Sequence, residues 1–213
     1  MRAGLVGGIA LLLVSEARAV GPLSIGIRGG VPTLDAFRVA AGGNLSYSAV
    51  NRRYVIGPSL EIRLPFRTSV TLDALYRKLE YSSTEQSGGG SVARAVTAGE
   101  WGFPLMLKHR FSGELAQPYL AAGFAFNRLT GVKQVVTCVA QLNCLSGGAP
   151  SELRDTNGGG ITFGAGVEMG LPVIRVTPEI RYTRRSNEFF REPGRGLLRS
   201  SRNQVDVIVG IHF

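Results

Sequence analysis

The sequence predicts an all-β chain, folded as an eight-stranded antiparallel up-and-down transmembrane β-barrel. Three observations carry that expectation. Apolar and polar residues alternate with period two along most of the chain after Val20, and no 11–18-residue window repeats with helical period. The connections between alternating segments are long and short in turn. One face of each segment is almost purely apolar, while the other mixes glycine with charge.

Composition agrees with this class. The chain has 213 residues, 29 of them Gly, with 44% hydrophobic and 18% charged residues, which excludes disorder and collagen-like repetition. The length suits one domain. At the N-terminus, Arg2 precedes an apolar run from Ala3 to Val14, too short to span a bilayer as a helix. Ala17-Arg18-Ala19 then supplies a small-x-small cleavage pattern. Residues 1–19 therefore read as an export signal and 20–213 as the barrel domain. The formal charge of +9 falls to about +8 once Arg2, Glu16 and Arg18 are removed, an excess to be explained in an exported setting rather than by cytoplasmic nucleic acid. Export favours an oxidising compartment, so Cys138 and Cys144, six positions apart in a polar segment, are expected to form a local disulfide. Two thiols without a nearby His do not complete a zinc site.

The strands follow in order. The first sets Leu23, Ile25 and Ile27 against Ser24, Gly26 and Arg28. The second sets Tyr54, Ile56, Leu60 and Ile62 against Arg53, Ser59, Glu61 and Arg63. The third sets Val70, Leu72, Ala74 and Tyr76 against Thr71, Asp73 and Arg77. In the fourth, Trp101, Phe103, Leu105 and Leu107 oppose Glu100, Gly102, Met106 and Lys108. The fifth places Leu120, Ala122, Phe124 and Phe126 opposite Ala121, Gly123 and Ala125. The sixth alternates Ile161, Phe163, Ala165, Val167 and Met169 with Thr162, Gly164, Gly166, Glu168 and Gly170. The seventh alternates Ile174, Val176, Ile180 and Tyr182 with Arg175, Thr177, Glu179, Arg181 and Thr183. The eighth alternates Val205, Val207, Val209, Ile211 and Phe213 with Gln204, Asp206, Gly210 and His212. Connections at 32–52, 82–98, 128–159 and 184–203 are long, and those at 64–66, 109–117 and 171–173 are short. A bacterial barrel with both termini in the periplasm requires this order.

The charged face decides which side points inward. Glu61, Asp73, Glu100, Glu168, Glu179 and Asp206 share it with Arg28, Arg63, Arg77, Lys108, Arg175 and Arg181. Facing hydrocarbon, each Arg or Lys near the midplane would cost about 2–4 kcal/mol, so these twelve are expected in the lumen as an ion-pair network. The alternative is a soluble lipocalin-like cup with its apolar faces packed together. Tyr54, Phe66, Tyr76, Trp101, Phe126, Tyr182 and Phe213 fall near strand ends, as girdle aromatics do.

Several segments carry a family likeness: Gly57-Pro58-Ser59-Leu60-Glu61-Ile62-Arg63-Leu64-Pro65, Trp101-Gly102-Phe103-Pro104-Leu105-Met106-Leu107-Lys108, Pro118-Tyr119-Leu120-Ala121-Ala122-Gly123, Pro178-Glu179-Ile180-Arg181-Tyr182-Thr183, and the terminal Val207-Ile208-Val209-Gly210-Ile211-His212-Phe213. Through them the chain resembles the small outer-membrane β-barrels of Gram-negative bacteria, the OmpA/OmpX-like porin-family proteins, over essentially all of 20–213. The resemblance implies an integral outer-membrane protein whose terminal Phe213 and its strand are read by the barrel-assembly machinery. Pro58, Pro104, Pro118 and Pro178 depart from a continuous ladder, and bulges or strand ends are expected there.

Catalysis finds no support. His109 and His212 both lie towards the periplasmic end, so neither is a general base for outer-rim chemistry, and the inward acids are balanced by inward bases. Gly164-x-Gly166-x-x-x-Gly170 has the wrong spacing for a nucleotide loop and lies within a strand. The expectation is a monomer with no enzymatic activity, cofactor, metal or nucleic-acid partner. The last outer loop holds Arg184, Arg185, Arg191, Arg195, Arg199 and Arg202 against Glu188 and Glu192. Guanidinium forks suit phosphate, making this loop a candidate contact for lipopolysaccharide, beside outer-membrane lipid as the other partner. A plugged lumen then implies a structural or surface-interaction role in envelope integrity, adhesion or lipopolysaccharide contact. A narrow channel for small solutes is the alternative.

Overall fold

A computed structural model describes residues 22–49, 54–139, 148–194 and 196–213; residues 1–19, read as the export signal, lie outside that set. The strands are β1 (Leu23–Pro32), β2 (Phe37–Val39), β3 (Ala41–Gly42), β4 (Leu45–Ala49), β5 (Val55–Arg63), β6 (Thr68–Asp73), β7 (Leu75–Ser87), β8 (Gly90–Arg110), β9 (Ala116–Val139), β10 (Asn157–Gly170), β11 (Arg175–Arg185), β12 (Leu198–Ser200) and β13 (Asn203–His212). β6 and β7 are one strand interrupted at Ala74, so the wall has eight members. β1 pairs with β5, β5 with β6–β7, and the pairing continues through β8, β9, β10, β11 and β13 back to β1. Every pairing is antiparallel, and the β1–β13 ladder, Gly26↔His212 to Pro32↔Asp206, closes the ring. Closure removes the edge, satisfying each strand's backbone groups on both sides.

Burial follows the expected alternation. Ser24, Arg28, Glu61, Asp73, Lys108, Thr162, Glu179, Arg181 and Asp206 are buried, while Ile25, Ile27, Leu105, Leu107, Phe124 and Ile180 are exposed on the outer wall. Glycine at inward positions lets the wall coil tightly. A Cβ on Gly30 would lie 2.2 Å from the Val207 carbonyl oxygen, and one on Gly166 would lie 2.6 Å from the Tyr119 hydroxyl.

The prolines act differently from expectation. At Pro58, Pro104 and Pro178 the register continues unshifted on both sides: Ile56↔Tyr76 and Ser59↔Asp73 share one alignment, as do Leu72↔Leu105 and Leu75↔Gly102, and Gly166↔Glu179 and Met169↔Val176. A missing N–H interrupts the ladder without inserting a residue. Pro58 still accepts from Ala74 N–H at 2.9 Å, and the Ala74 carbonyl leans to where a side chain on Gly57 would sit. Pro118 lies near the start of β9. The register shift occurs instead between Thr97 and Gly99, beyond the apolar band.

The long connections are also shorter than expected. β7 and β8 run to a two-residue turn at Gly88-Gly89, and β9 runs to Val139, so most of 82–98 and the first part of 128–159 are strand. The extensions of β7 and β8 are rich in polar and small residues, and that of β9 carries Val132, Val135, Val136 and Val139 without strict alternation, so none shows the continuous apolar face of the other half. β8 and β9 have 21 and 24 residues, whereas a tilted strand crosses hydrocarbon in about 9–11. About half of each exceeds the length that such a crossing needs.

Candidate functional site

The lumen is filled in three tiers. At the end of the barrel where β1 begins and β13 finishes, Glu61 meets Arg110 at 2.6 Å and Lys108 at 3.5 Å. Glu168 meets Lys108 at 2.6 Å, Arg63 at 2.8 Å and Arg175 at 3.6 Å. In the middle, Arg181 bridges Asp73 at 2.7 Å and Glu179 at 2.6 Å. Arg28, on β1 two strands round the ring from β11, bridges the same acids at 3.3 and 2.6 Å. Ser59 donates to Asp73 and Tyr119 to Glu179, so the middle carboxylates are saturated. In the upper tier, Glu100 holds Arg77 at 2.5 Å and Arg185 at 2.7 Å, while Asp206 accepts from Gln204. Between the upper two tiers a cavity of about 30 Å³, room for about one or two waters, is lined among others by Arg181 and Asp206, whose Nη2 and Oδ1 atoms are buried without a hydrogen-bond partner.

Inward strand positions bring all twelve expected residues into this lumen. They also bring two further charged residues that the sequence alternation did not place there. Arg110 extends the alternation of Met106 and Lys108 by one step. Arg185 does the same after Arg181 and Thr183, and this corrects its assignment to the outer loop. β11 continues through Arg185, whose buried guanidinium is committed to Glu100. Arg184, one residue earlier, is likewise in β11 but faces outward.

Above the tiers lies an apolar cap that the alternation did not reveal. Phe37, Tyr47, Leu79, Tyr81, Phe189, Phe190 and Leu198 pack inside the outer extension of the barrel. Phe37, Tyr81 and Phe190 form an edge-to-face triangle with centroids 5.3–5.8 Å apart. The segment after β11 folds inward because Phe189 and Phe190 bury completely. β12 fastens it to β2 through Leu198↔Val39 and Ser200↔Phe37. Tyr47 donates to Glu152 at 3.0 Å and Tyr81 at 3.4 Å. Burial first, and then the Glu152 charge, push both phenols above their ordinary 10. Cap and tiers meet at Arg185, whose guanidinium lies 5.4 Å from the Phe189 ring.

The outer wall carries an apolar band bounded by aromatics. Tyr76, Trp101 and Phe103 touch at centroid distances of 5.2 and 6.3 Å, and Phe126 is the ladder partner of Phe103. Two residues beyond Tyr76, Phe126 and Tyr182 stand Lys78, Arg128 and Arg184. A wall apolar outside and ion-paired inside is the polarity of a membrane-spanning barrel, the inverse of a soluble cup. Phe213 ends this wall, its N–H donating to Ile25. Of the last loop's arginines, Arg191, Arg199 and Arg202 are exposed; Arg195 lies outside the described residues. Arg199 donates to Glu188 at 2.6 Å and, with Arg202 at 3.5 Å, holds that carboxyl below its ordinary value. Cys138 lies near the outer end of β9, and Cys144, its expected partner, lies outside the described residues.

No protein-family model matches the chain, and no curated protein does. Among solved structures it is similar to the outer membrane protein OprG from Pseudomonas aeruginosa, at 10% identity and a TM-score of 0.47, covering 91% of this chain and 96% of that one. It is also similar to the N-terminal β-barrel domain of Pseudomonas aeruginosa OprF, at 12% identity and a TM-score of 0.36, covering 91% and 98%. The fold assignment is carried by the chain's own closed ring of eight strands.

Proposed function

We propose that the chain is an integral outer-membrane β-barrel of a Gram-negative envelope with a sealed lumen. Its role is then structural or interactive, exercised at the outer surface through envelope integrity, adhesion or lipopolysaccharide contact. The observation that carries this reading is the double seal: a middle tier of fully buried Arg28, Arg181, Asp73 and Glu179, and above it the Phe189–Phe190 cap. A barrel of eight strands encloses little more than its own side chains, and here long ones occupy the section. Lipid on the outer wall, the assembly machinery acting on the Phe213 strand and the Cys138–Cys144 bridge belong to the same proposal.

A heat-dependent mobility shift of detergent-extracted protein on a denaturing gel tests the membrane barrel, and solubility without detergent would refute it. Planar-bilayer recording separates the surface role from the narrow-channel alternative. The sealed reading expects no stepwise conductance, and reproducible single-channel steps from the purified chain would replace it with a channel.

A further inference from the structure

We infer that a cleft at the outer rim, on the lipid-facing side of the barrel, is a binding site for phosphate monoesters. The inference rests on the outer-membrane reading above and gives its lipopolysaccharide contact a location and a chemistry. The cleft has a volume of about 230 Å³, and Arg38, Arg184, Arg199 and Arg202 line it with Glu188 and Asn203. Three elements deliver them: Arg38 from β2, Arg184 from the outward face of β11, and Arg199 and Arg202 from β12 and the turn into β13.

The register makes this more than a basic surface. Arg199 is the direct cross-strand partner of Arg38 in the β2–β12 ladder and bridges to Arg191 on its other side. Three arginines therefore stand side by side across a short sheet, an arrangement that like charges disfavour unless an anion lies among them. Glu188 is the one carboxylate lining the cleft among the described residues, and it engages Arg199 and Arg202. One acid against four guanidinium groups leaves a cationic cleft whose planar forks match phosphate oxygens two at a time. The height also fits. Arg184 stands two residues beyond Tyr182, which ends the apolar band, so the cleft opens beside lipid headgroups rather than at a loop tip. A phosphorylated glycolipid of the outer leaflet and a soluble phosphate ester share the chemistry that this cleft recognises.

The test uses the full chain in detergent, with lipid A, its dephosphorylated counterpart and inorganic phosphate as probes. Native mass spectrometry after gel filtration reads retained glycolipid. The wild type should retain lipid A and discriminate against the dephosphorylated form, and the double variant Arg38→Gln/Arg184→Gln should retain about tenfold less. Both positions are exposed, and an unchanged heat-dependent gel shift of the variant shows that its barrel is intact. Arg38→Lys/Arg184→Lys should fall between, because it keeps charge and loses the forks. Binding of inorganic phosphate, lost in the Gln variant, supports the same cleft with a soluble ester as its ligand. Equal retention by wild type and Gln variant, or equal retention of both glycolipids, overturns the inference when inorganic phosphate also fails to bind or binds both proteins equally. If the wild type itself lacks the gel shift, the membrane reading has failed separately, and the phosphate titration still decides the cleft.

Discussion

Arg181 touches both carboxylates of the middle tier, at 2.6 and 2.7 Å, and is almost wholly buried. Removing it by Arg181→Met leaves Asp73 and Glu179 sharing Arg28 alone, and breaking one partner of a buried network costs about 3–5 kcal/mol. The midpoint of thermal unfolding in detergent, followed by gel mobility, should fall accordingly. Arg181→Lys should recover only part of the loss, since one ammonium replaces a fork that reaches two acids. Backbone proximity matters at the same scale. Gly166→Ala would place its Cβ 2.4 Å from the Pro178 carbonyl oxygen and 2.6 Å from the Tyr119 hydroxyl. We expect overpacking of about 1–3 kcal/mol in the same unfolding assay.

At the scale of elements, the cap is separable from the wall, because its apolar cluster lies outside the membrane band and the ladder closes without it. Phe189 and Phe190 are fully buried, and truncation of either to Ala costs about 3–5 kcal/mol. That loss should appear as rapid proteolysis between β11 and β13, while the heat-dependent gel shift persists. The cap should also loosen in alkali. Burial and Glu152 raise the Tyr47 and Tyr81 phenols, so their contribution is fully present below the unfolded value near 10 and is lost as pH rises past it. Ultraviolet titration should show these two ionising after the exposed tyrosines. Glu188 has the opposite sign. Its carboxyl is held below its ordinary 4.5 by Arg199, so its contribution is complete above that value and disappears as acid protonates it.

For the whole molecule, the seal is in series, with the cap above and the ion-paired tiers below. Unpacking the cap alone with Phe189→Ala/Phe190→Ala should therefore leave the barrel non-conducting in a planar bilayer. Conductance should require shortening of the middle tier as well, for example by adding Arg28→Ser and Asp73→Ser as a matched pair that leaves no single unpaired charge. A cap variant that conducts without the second change would show that the tiers do not close the lumen.

Period-two alternation made the membrane half of the chain legible, because hydrocarbon outside and a narrow lumen inside impose opposite chemistry on successive residues. Ile25, Phe124 and Ile180 could only face outward, and Arg28, Glu61 and Arg181 only inward. The same rule, carried one step further along each strand, reaches Arg110 and Arg185. The outer half was not legible. Its strand extensions face water on the outside, so Ser82, Ser83 and Thr84 read as loop. Phe189-Phe190 has no partner nearby in sequence and buries only because β2, β4 and β7 surround it. The sequence by itself determined which residues line the lumen, since facing is a property of the strand. Which acid meets which base, and which arginines share a cleft, was decided by the tertiary structure: closing the ring sets Arg28 against Glu179, 151 positions away, and pairing β2 with β12 sets Arg38 beside Arg199.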